Sequence, residues 1–472
     1  MSGLTPTGSN QTFAGVGRLE FSPTTTADDP FPVWVDITSR VRTESEPLSL
    51  ETMGSQSELD TGESCVLSAT LDDSDGALTY GLTSGPFGTG WVPSRRFRYS
   101  ETWGNRTFVL YSGYMEFPDI DDFKPIGYQE VKLVCNDGLT RLARGRPFVS
   151  TLGAHVLFNG PANGMQAFWP LGEASTPFLD VSTNAVGAFP LESSTLPNLV
   201  PTTAGPLFSF QGAPAIFADD LNCLQLSPAL AGTSDFQTAF LQTQNSNFSV
   251  SNGTMTFTFW MWFNDITTSS IFMVNNTSAT TAIGMSRSVG QWQVTGIVGA
   301  STVAFNINPP PTQKWTLCSI RLTLPSGLVE YWQDDDPPQT GTLSGSPASS
   351  TTITSLGLGS DFVGYLGHVQ LYSGPTATAF PRAAHLAQFQ MAQTGLEYQS
   401  TGQRVNTILD YAGVPALMRV VDPGVAFMQV ATLAGQDPLT ALRNAVDTEV
   451  GRGFVDGYGR YVFQDRTHVL NV

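Results

Sequence analysis

The run Met255-Thr256-Phe257-Thr258-Phe259-Trp260-Met261-Trp262-Phe263 constrains this chain more than any other stretch. Read with the period of two that a strand imposes, its odd positions are Met, Phe, Phe, Met and Phe, and its even positions end in Trp260 and Trp262. Both faces carry large apolar groups, and such a strand is stable only where something covers it on each side. It belongs at the centre of a layered β structure. Gln291-Trp292-Gln293-Val294, Trp315–Ile320 and Gly364–Tyr372 read as its neighbours, because each combines apolar alternation with turn residues at its ends. The 46 glycines and 31 prolines fall between runs of this kind as turn punctuation, so they signal strand returns and not low complexity.

Regional charge divides the 472 residues, a length that suits about three domains. Residues 1–149 hold 12 basic and 20 acidic groups, 150–375 hold 3 and 12, and 376–472 hold 7 and 8. The middle segment is thus unusually poor in charge, with Ser, Thr, Asn and Gln as its polar groups, which suits a sandwich whose outer faces are strands. The reading is a mainly β chain in three parts: an N-terminal β-barrel or sandwich over 1–149, a β-sandwich over 150–375, and a small α+β module over 376–472.

In the first part, Val33–Ile37, Ser64–Ser68, Thr107–Tyr111 and Glu130–Cys135 alternate, and Asp75-Gly76 and Asn136-Asp137-Gly138 read as tight turns between antiparallel strands. No helical period appears before about residue 382. In the last part Gln403–Ala412 ends at Gly413, and Asp437 is placed to cap a helix that starts at Pro438 and repeats Leu439, Leu442, Val446 and Val450. Val425–Val430 reads as a strand and Gly453–Phe463 as a hairpin.

With 22 Lys+Arg against 40 Asp+Glu, the net charge of −18 repels phosphate backbones and acidic membrane surfaces, so nucleic-acid binding is not expected. No stretch of 18 apolar residues occurs, and the first residues lack the basic and apolar regions of a signal peptide; the expectation is a protein made in the cytosol without an integral membrane segment. Cys65, Cys135, Cys223 and Cys318 lie far apart and read as reduced packing residues.

Catalytic patterns are missing. His155, His368, His385 and His468 are scattered without H-x-x-x-H spacing, and neither a G-x-S-x-G elbow nor a phosphate-binding glycine loop is present. Glu330 stands alone in its strand, and Glu173 and Asp180 are separated by a loop, which leaves no carboxylate pair for sugar cleavage. The expectation is a non-enzyme with no cofactor and no catalytic or metal residue. As ligand-binding candidates the sequence offers Trp332, whose ring suits stacking on a sugar, and Asp334, Asp335 and Asp336, whose carboxylates suit calcium. Against these stand rim packing for Trp332 and a solvated turn for the three acids, and both are favoured. Arg95, Arg96 and Arg98, with Arg141, Arg144 and Arg146, are diluted by acids, and arginine outnumbers lysine 19 to 3; these guanidinium groups read as interface cations between subunits.

Trp34-Val35-Asp36-Ile37-Thr38, Gly62-Glu63, Leu71–Gly76, Phe108–Tyr114 and Val131–Leu142 in this order resemble the opening domain of minor tail proteins of long-tailed phages. Phe168–Glu173 with Asp180-Val181-Ser182, then Phe257–Phe263 and Gly364–Tyr372, resemble a laminin-G-like or concanavalin-A-like sandwich. The aromatic strand Tyr331-Trp332-Gln333-Asp334 departs from the Asp-Gly ending usual there. Arg404–Gly413, Leu439–Glu449 and Phe454–Arg466 look like the helix-plus-hairpin module of phage baseplate hub proteins. The resemblance implies a virion component of the tail tip, assembled in the host cytoplasm, in which 1–149 and 376–472 form one body around the tube axis with the sandwich inserted. Its implied partners are copies of itself, in a threefold ring, and other tail proteins: tube, distal tail, tape measure and fibres. The alternative is a lectin-like adsorption protein whose sandwich takes host cell-wall glycan.

Overall fold

The computed structural model describes residues 16–24, 29–42, 48–52, 64–78, 87, 90–116, 119–120, 129–172, 180–182, 191–193, 202–204, 223–226, 241–243, 248–251, 253–263, 269–276, 281–288, 291–298, 301–324, 326–342, 350–358, 364–375 and 379–470. The chain is mainly β. It divides into two compact units, one of Met1–Pro147, Tyr398–Met428 and Gln436–Val472, the other of Phe148–Glu397 and Gln429–Gly435.

Unit 1 is built on an antiparallel sheet in the order Val35–Asp36, Val16–Phe21, Arg96–Trp103, Arg106–Met115, Glu130–Asn136, Cys65–Asp72, Ser49–Thr52, with Asp119–Ile120 also on Glu130–Asn136. A bridge between Val41 and Leu71, beside a hydrogen bond from Arg42 N to Thr70 O, brings the chain beyond the first edge strand back to the far side of the sheet, which therefore curls into a barrel. Alternation fills its interior with Leu19, Phe21, Leu67, Phe97, Val131 and Leu133, and Trp91 lies edge-on to Phe21 and Phe97.

Two short helices follow where none is predicted: α1 (Gly138–Ala143) in unit 1 and α2 (Thr151–Asn159) in unit 2. The Asp137 side chain accepts from the N–H groups of Leu139 and Thr140, and Ser150 from that of Gly153. The residues of Asn136-Asp137-Gly138, read as a turn, thus cap a helix instead, since Asp satisfies free N–H groups equally well in both settings.

The rest of unit 1 is α4 (Thr401–Tyr411), α5 (Pro438–Glu449), α6 (Arg466–Leu470) and a sheet of Arg419–Val421, Tyr461–Gln464 and Arg452–Val455. Asp437 caps α5 by accepting from Thr440 N, as its position before Pro438 predicts. Val425–Val430 forms no strand beyond an isolated bridge of Phe427 with Ser400; the strand of this segment is Arg419–Val421, parallel to Tyr461–Gln464. The chain's early and late segments interlock in this unit. Arg96 donates to the carbonyl of Tyr458, Gly457 packs on the carbonyl of Val109 without room for a Cβ, and Gly138 rests against Val455.

Among the described residues, unit 2 contains two large antiparallel sheets and the helices α2 and α3 (Arg382–Thr394). One sheet runs Thr202–Ala204, Cys223–Leu226, Gly364–Gly374, Thr254–Trp262, Thr316–Thr323, Leu328–Gln333, Gln339–Thr342, with Met165–Trp169 also on Gly364–Gly374. Every residue of Thr254–Trp262 is buried. Met255, Phe257, Phe259 and Met261 meet Ile283, Met285 and Val294 of the second sheet in one core, while Trp260 and Trp262 share a second core with Val156 of α2 and Phe389 of α3. Both apolar faces of the strand are thereby covered. Its flanking strands are Gly364–Gly374 and Thr316–Thr323; Gln291–Val298, read as a neighbour, lies in the second sheet, because alternation fixes which side chains face inward but not which sheet carries them. The contact boundary falls at Glu397 and not near 376, since α3 packs on the sandwich.

Candidate functional site

The strand Leu328–Gln333 delivers all four predicted ligand residues to one corner of unit 2. Trp332 is only 1% exposed. Its ring lies under α3, edge-on to the imidazole of His385 with centroids 5.7 Å apart, and the guanidinium groups of Arg321 and Arg382 stand 5.7 and 5.8 Å from its centre. No face of the ring is open to a sugar, and the ring packs in the core beneath α3, deeper than the rim position read from the sequence. Asp334 sits at φ 45°, a left-handed conformation that Asp tolerates better than most residues, and is buried. One carboxylate oxygen accepts from Leu317 N at 2.8 Å and the other from Lys314 Nζ at 2.8 Å. Burial raises the pKa of Asp334, and these two donors oppose that rise. Asp335 and Asp336 are exposed, and the Asp336 carbonyl accepts from Arg382 at 2.5 Å. Among the described residues no group of three or more His, Cys, Asp or Glu side chains is placed to hold a metal ion.

The same corner holds a pair that the sequence does not announce. His385 Nε2 lies 2.7 Å from the carbonyl of Asp334, which only accepts, so Nε2 carries the proton and Nδ1 has the free lone pair. Ser319 donates to that Nδ1 at 2.7 Å and in turn accepts from the Thr258 hydroxyl at 2.8 Å. A serine bonded to a neutral imidazole is the arrangement of an activated nucleophile. Here Ser319, Thr258 and His385 are all fully buried, and the chain of hydroxyls fastens α3 to the central sheet. Burial pushes the His385 pKa down to about 3, with nearby Arg382 acting in the same direction.

A cavity of about 670 Å³ in unit 1 lies between the barrel strands, α1 and the late segments of the chain. Met115, Leu142, Val414, Met418 and Val455 give it apolar walls. Its charged groups are satisfied locally. Arg144 pairs with Glu116 at 2.6 Å, Arg141 stands over the Tyr114 ring, and Asp137 accepts from Ser64 and Cys65 as well as capping α1. Arg96 and Arg98, expected at an interface between subunits, act inside the unit instead. Arg98 pairs with Glu20 at 2.5 Å and packs over Trp34, while buried Arg96 donates to the carbonyls of Asp29 and Tyr458 and to the hydroxyl of Ser112.

No family model and no curated protein matches the sequence. Solved structures are similar to parts of it. Domains LG4-5 of the mouse laminin alpha1 chain are 12% identical, over 28% of this chain and 42% of that one, with a TM-score of 0.22. Trypanosoma rangeli sialidase in complex with sialic acid is 11% identical, over 76% of this chain and 57% of that one, at 0.30. Domain 4 of an extracellular arabinanase from Geobacillus stearothermophilus, in complex with arabinotriose, is 14% identical, over 48% of this chain and 98% of that one, at 0.29. The chain thus spans about half the length of the laminin and sialidase structures.

Unit 1 exposes large apolar side chains at its surface. Val16, Phe31, Trp103, Phe108, Leu110, Tyr398, Leu417, Phe427 and Val450 are among its exposed large hydrophobic residues. Phe158 and Val430 of unit 2 are exposed as well. Scattered exposed hydrophobics are ordinary, whereas neighbouring ones mark a surface that prefers to be covered.

Proposed function

We propose that this chain is a structural component of the tail tip of a long-tailed phage, assembled in the host cytoplasm, in which unit 1 packs against neighbouring chains, copies of itself among them. The sandwich is carried as an insertion that steadies the tip or touches the host envelope, and no bond is made or broken. The observation that carries this reading is the set of large apolar side chains that unit 1 exposes, Trp103, Phe108, Tyr398 and Phe427 among them. A stable contact requires on the order of 1,000 Å² or more of buried surface, and apolar side chains at its centre supply most of the driving force. The resemblance of the early and late segments to hub proteins points the same way. So does the sealing of Ser319 and His385 away from solvent, which leaves that pair without a substrate path.

The test is assembly. The purified chain, alone and mixed with the tail-tube and distal-tail proteins of the same virion, is examined by sedimentation velocity. The reading expects species larger than the monomer in at least one mixture, and a monomer throughout would remove it. Glycan recognition by the sandwich is the second reading, inherited from its resemblance to laminin-G-like domains. With Trp332 enclosed, it requires another surface of unit 2, and binding of the full chain to a cell-wall glycan array tests it.

A further inference from the structure

Gln388 of α3 is 2% exposed, and neither its Oε1 nor its Nε2 has a hydrogen-bond partner among the described residues. A buried amide in that condition costs free energy that a native chain seldom leaves uncompensated. Gln388 lines a cavity of about 60 Å³ between α2 and α3, inside unit 2, which holds on the order of two hydroxyl-sized groups. Ala387, exposed, lies on its wall as well, so the cavity opens toward solvent.

The other walls decide what can enter. Tyr372 and Phe380 stack with centroids 4.2 Å apart on one side, and the Tyr372 hydroxyl is already committed to Gln370 Oε1. Asn159 and Asn163 donate their amide nitrogens to the carbonyls of His155 and Asn159, at 2.9 Å each, so what they can still offer is oxygen. His155 is neutral at pH 7, because burial lowers its pKa to about 4. Among the described residues no Asp, Glu, Lys or Arg lines this cavity.

A charged occupant is therefore a poor match. A cation answers the amide oxygens and leaves the Gln388 N–H group unmet, while an anion does the reverse. A hydroxyl both donates and accepts, and two adjacent hydroxyls meet both ends of one primary amide whichever way the amide is turned. Water has this chemistry, and so does the edge of a sugar ring. The sugar carries an apolar face besides, and Phe158, on α2 three residues after His155, is 47% exposed. An aromatic ring beside a polar cleft gives that face something to stack on.

We infer that the cleft between α2 and α3 binds the vicinal diol of a neutral sugar, with the Gln388 amide meeting both hydroxyls and Phe158 covering the ring outside. This rests on the glycan reading above and gives it a place on unit 2.

The full-length chain is tested with methyl α-mannoside, methyl α-glucoside and N-acetylglucosamine as probes, followed by saturation-transfer NMR, and on the cell-wall glycan array. At least one probe or array glycan is expected to bind saturably. Gln388→Met, which removes both polar ends at nearly constant volume, weakens that binding about tenfold, and Phe158→Ala weakens it about threefold. Ala387→Trp closes the mouth from its exposed side and abolishes binding, which keeps the test decisive should Gln388→Met fail to fold; unchanged thermal unfolding shows that a variant is intact. Binding that neither Gln388→Met nor Ala387→Trp alters overturns this site and leaves the glycan reading to another surface of unit 2. Silence of every probe and of the array overturns both, and the cleft then holds water only.

Discussion

The Ser319 hydroxyl donates to Nδ1 of His385 across 2.7 Å, and neither residue is open to solvent. The imidazole is held neutral because its other nitrogen gives its proton to the carbonyl of Asp334 and because burial resists a positive charge. The pair joins α3 to the sheet it covers, and its protonation is coupled to the stability of unit 2.

That coupling has a definite sign. In the unfolded chain a histidine takes up a proton as pH falls through about 6.5; folded His385 resists until about 3, and His155, also lowered by burial, until about 4. The unfolded state therefore binds more protons in this window, and stability is complete above pH 6.5 and declines below it. At pH 5 His385 alone costs up to about 2 kcal/mol. Calorimetric melting at pH 7.5 and 5 should show the drop, and His385→Gln should flatten the pH dependence while lowering stability at pH 7.5.

Unit 1 responds at lower pH. Burial disfavours the Glu449 carboxylate, but donation from Thr401, Ala426, Arg466 and Val425 outweighs it and holds the pKa at about 2. A carboxyl with a lowered folded pKa contributes its full stability above about 4.5 and loses it as pH falls toward 2. Glu449→Gln keeps the shape but loses the charge that four donors share. It is expected to cost about 2–4 kcal/mol, read as a lower denaturation midpoint.

Trp332→Ala separates packing from recognition. The ring fills the space between the sheet and α3, so its removal should cost about 3–5 kcal/mol of unit 2 stability. If any glycan binds the full chain, its affinity measured on the folded variant should stay within about threefold of the original, as befits a ring outside the binding surface. A larger loss would return Trp332 to the site.

The cysteines predict slow chemistry. Cys135 and Cys318 are enclosed and their thiols are pushed well above their ordinary range, while Cys223 rises to about 12 and half-buried Cys65 to about 11, each chiefly through burial. A thiolate-selective reagent at pH 8 should modify Cys65 slowly and the other three only after denaturation.

Local patterns carried the sequence reading as far as they reach. Thr254–Trp262 was legible because period-two alternation with apolar groups on both faces leaves one environment that suits it. The start of α5 was legible because Asp437 and Pro438 act within a single turn. Helix α1 was not, because Asp137 and Gly138 serve a turn and a cap alike. The surroundings of Trp332 were beyond local pattern: His385 and Arg382, which enclose it, come from a helix some fifty positions later, and no spacing rule links them. The internal roles of Arg96 and Arg98 were hidden in the same way, since Tyr458 and Glu20 are remote in sequence from both.

Because Val109 meets Gly457 and Arg96 meets Tyr458, the barrel is completed by residues that leave the ribosome after the whole of unit 2. Synthesis thus imposes an order: the sandwich can mature while the barrel still waits for its late helices and hairpin. Chains cut short in translation display an unfinished barrel beside a finished sandwich, and the contacts of Arg96 and Val109 with the late hairpin become a property of full-length product alone.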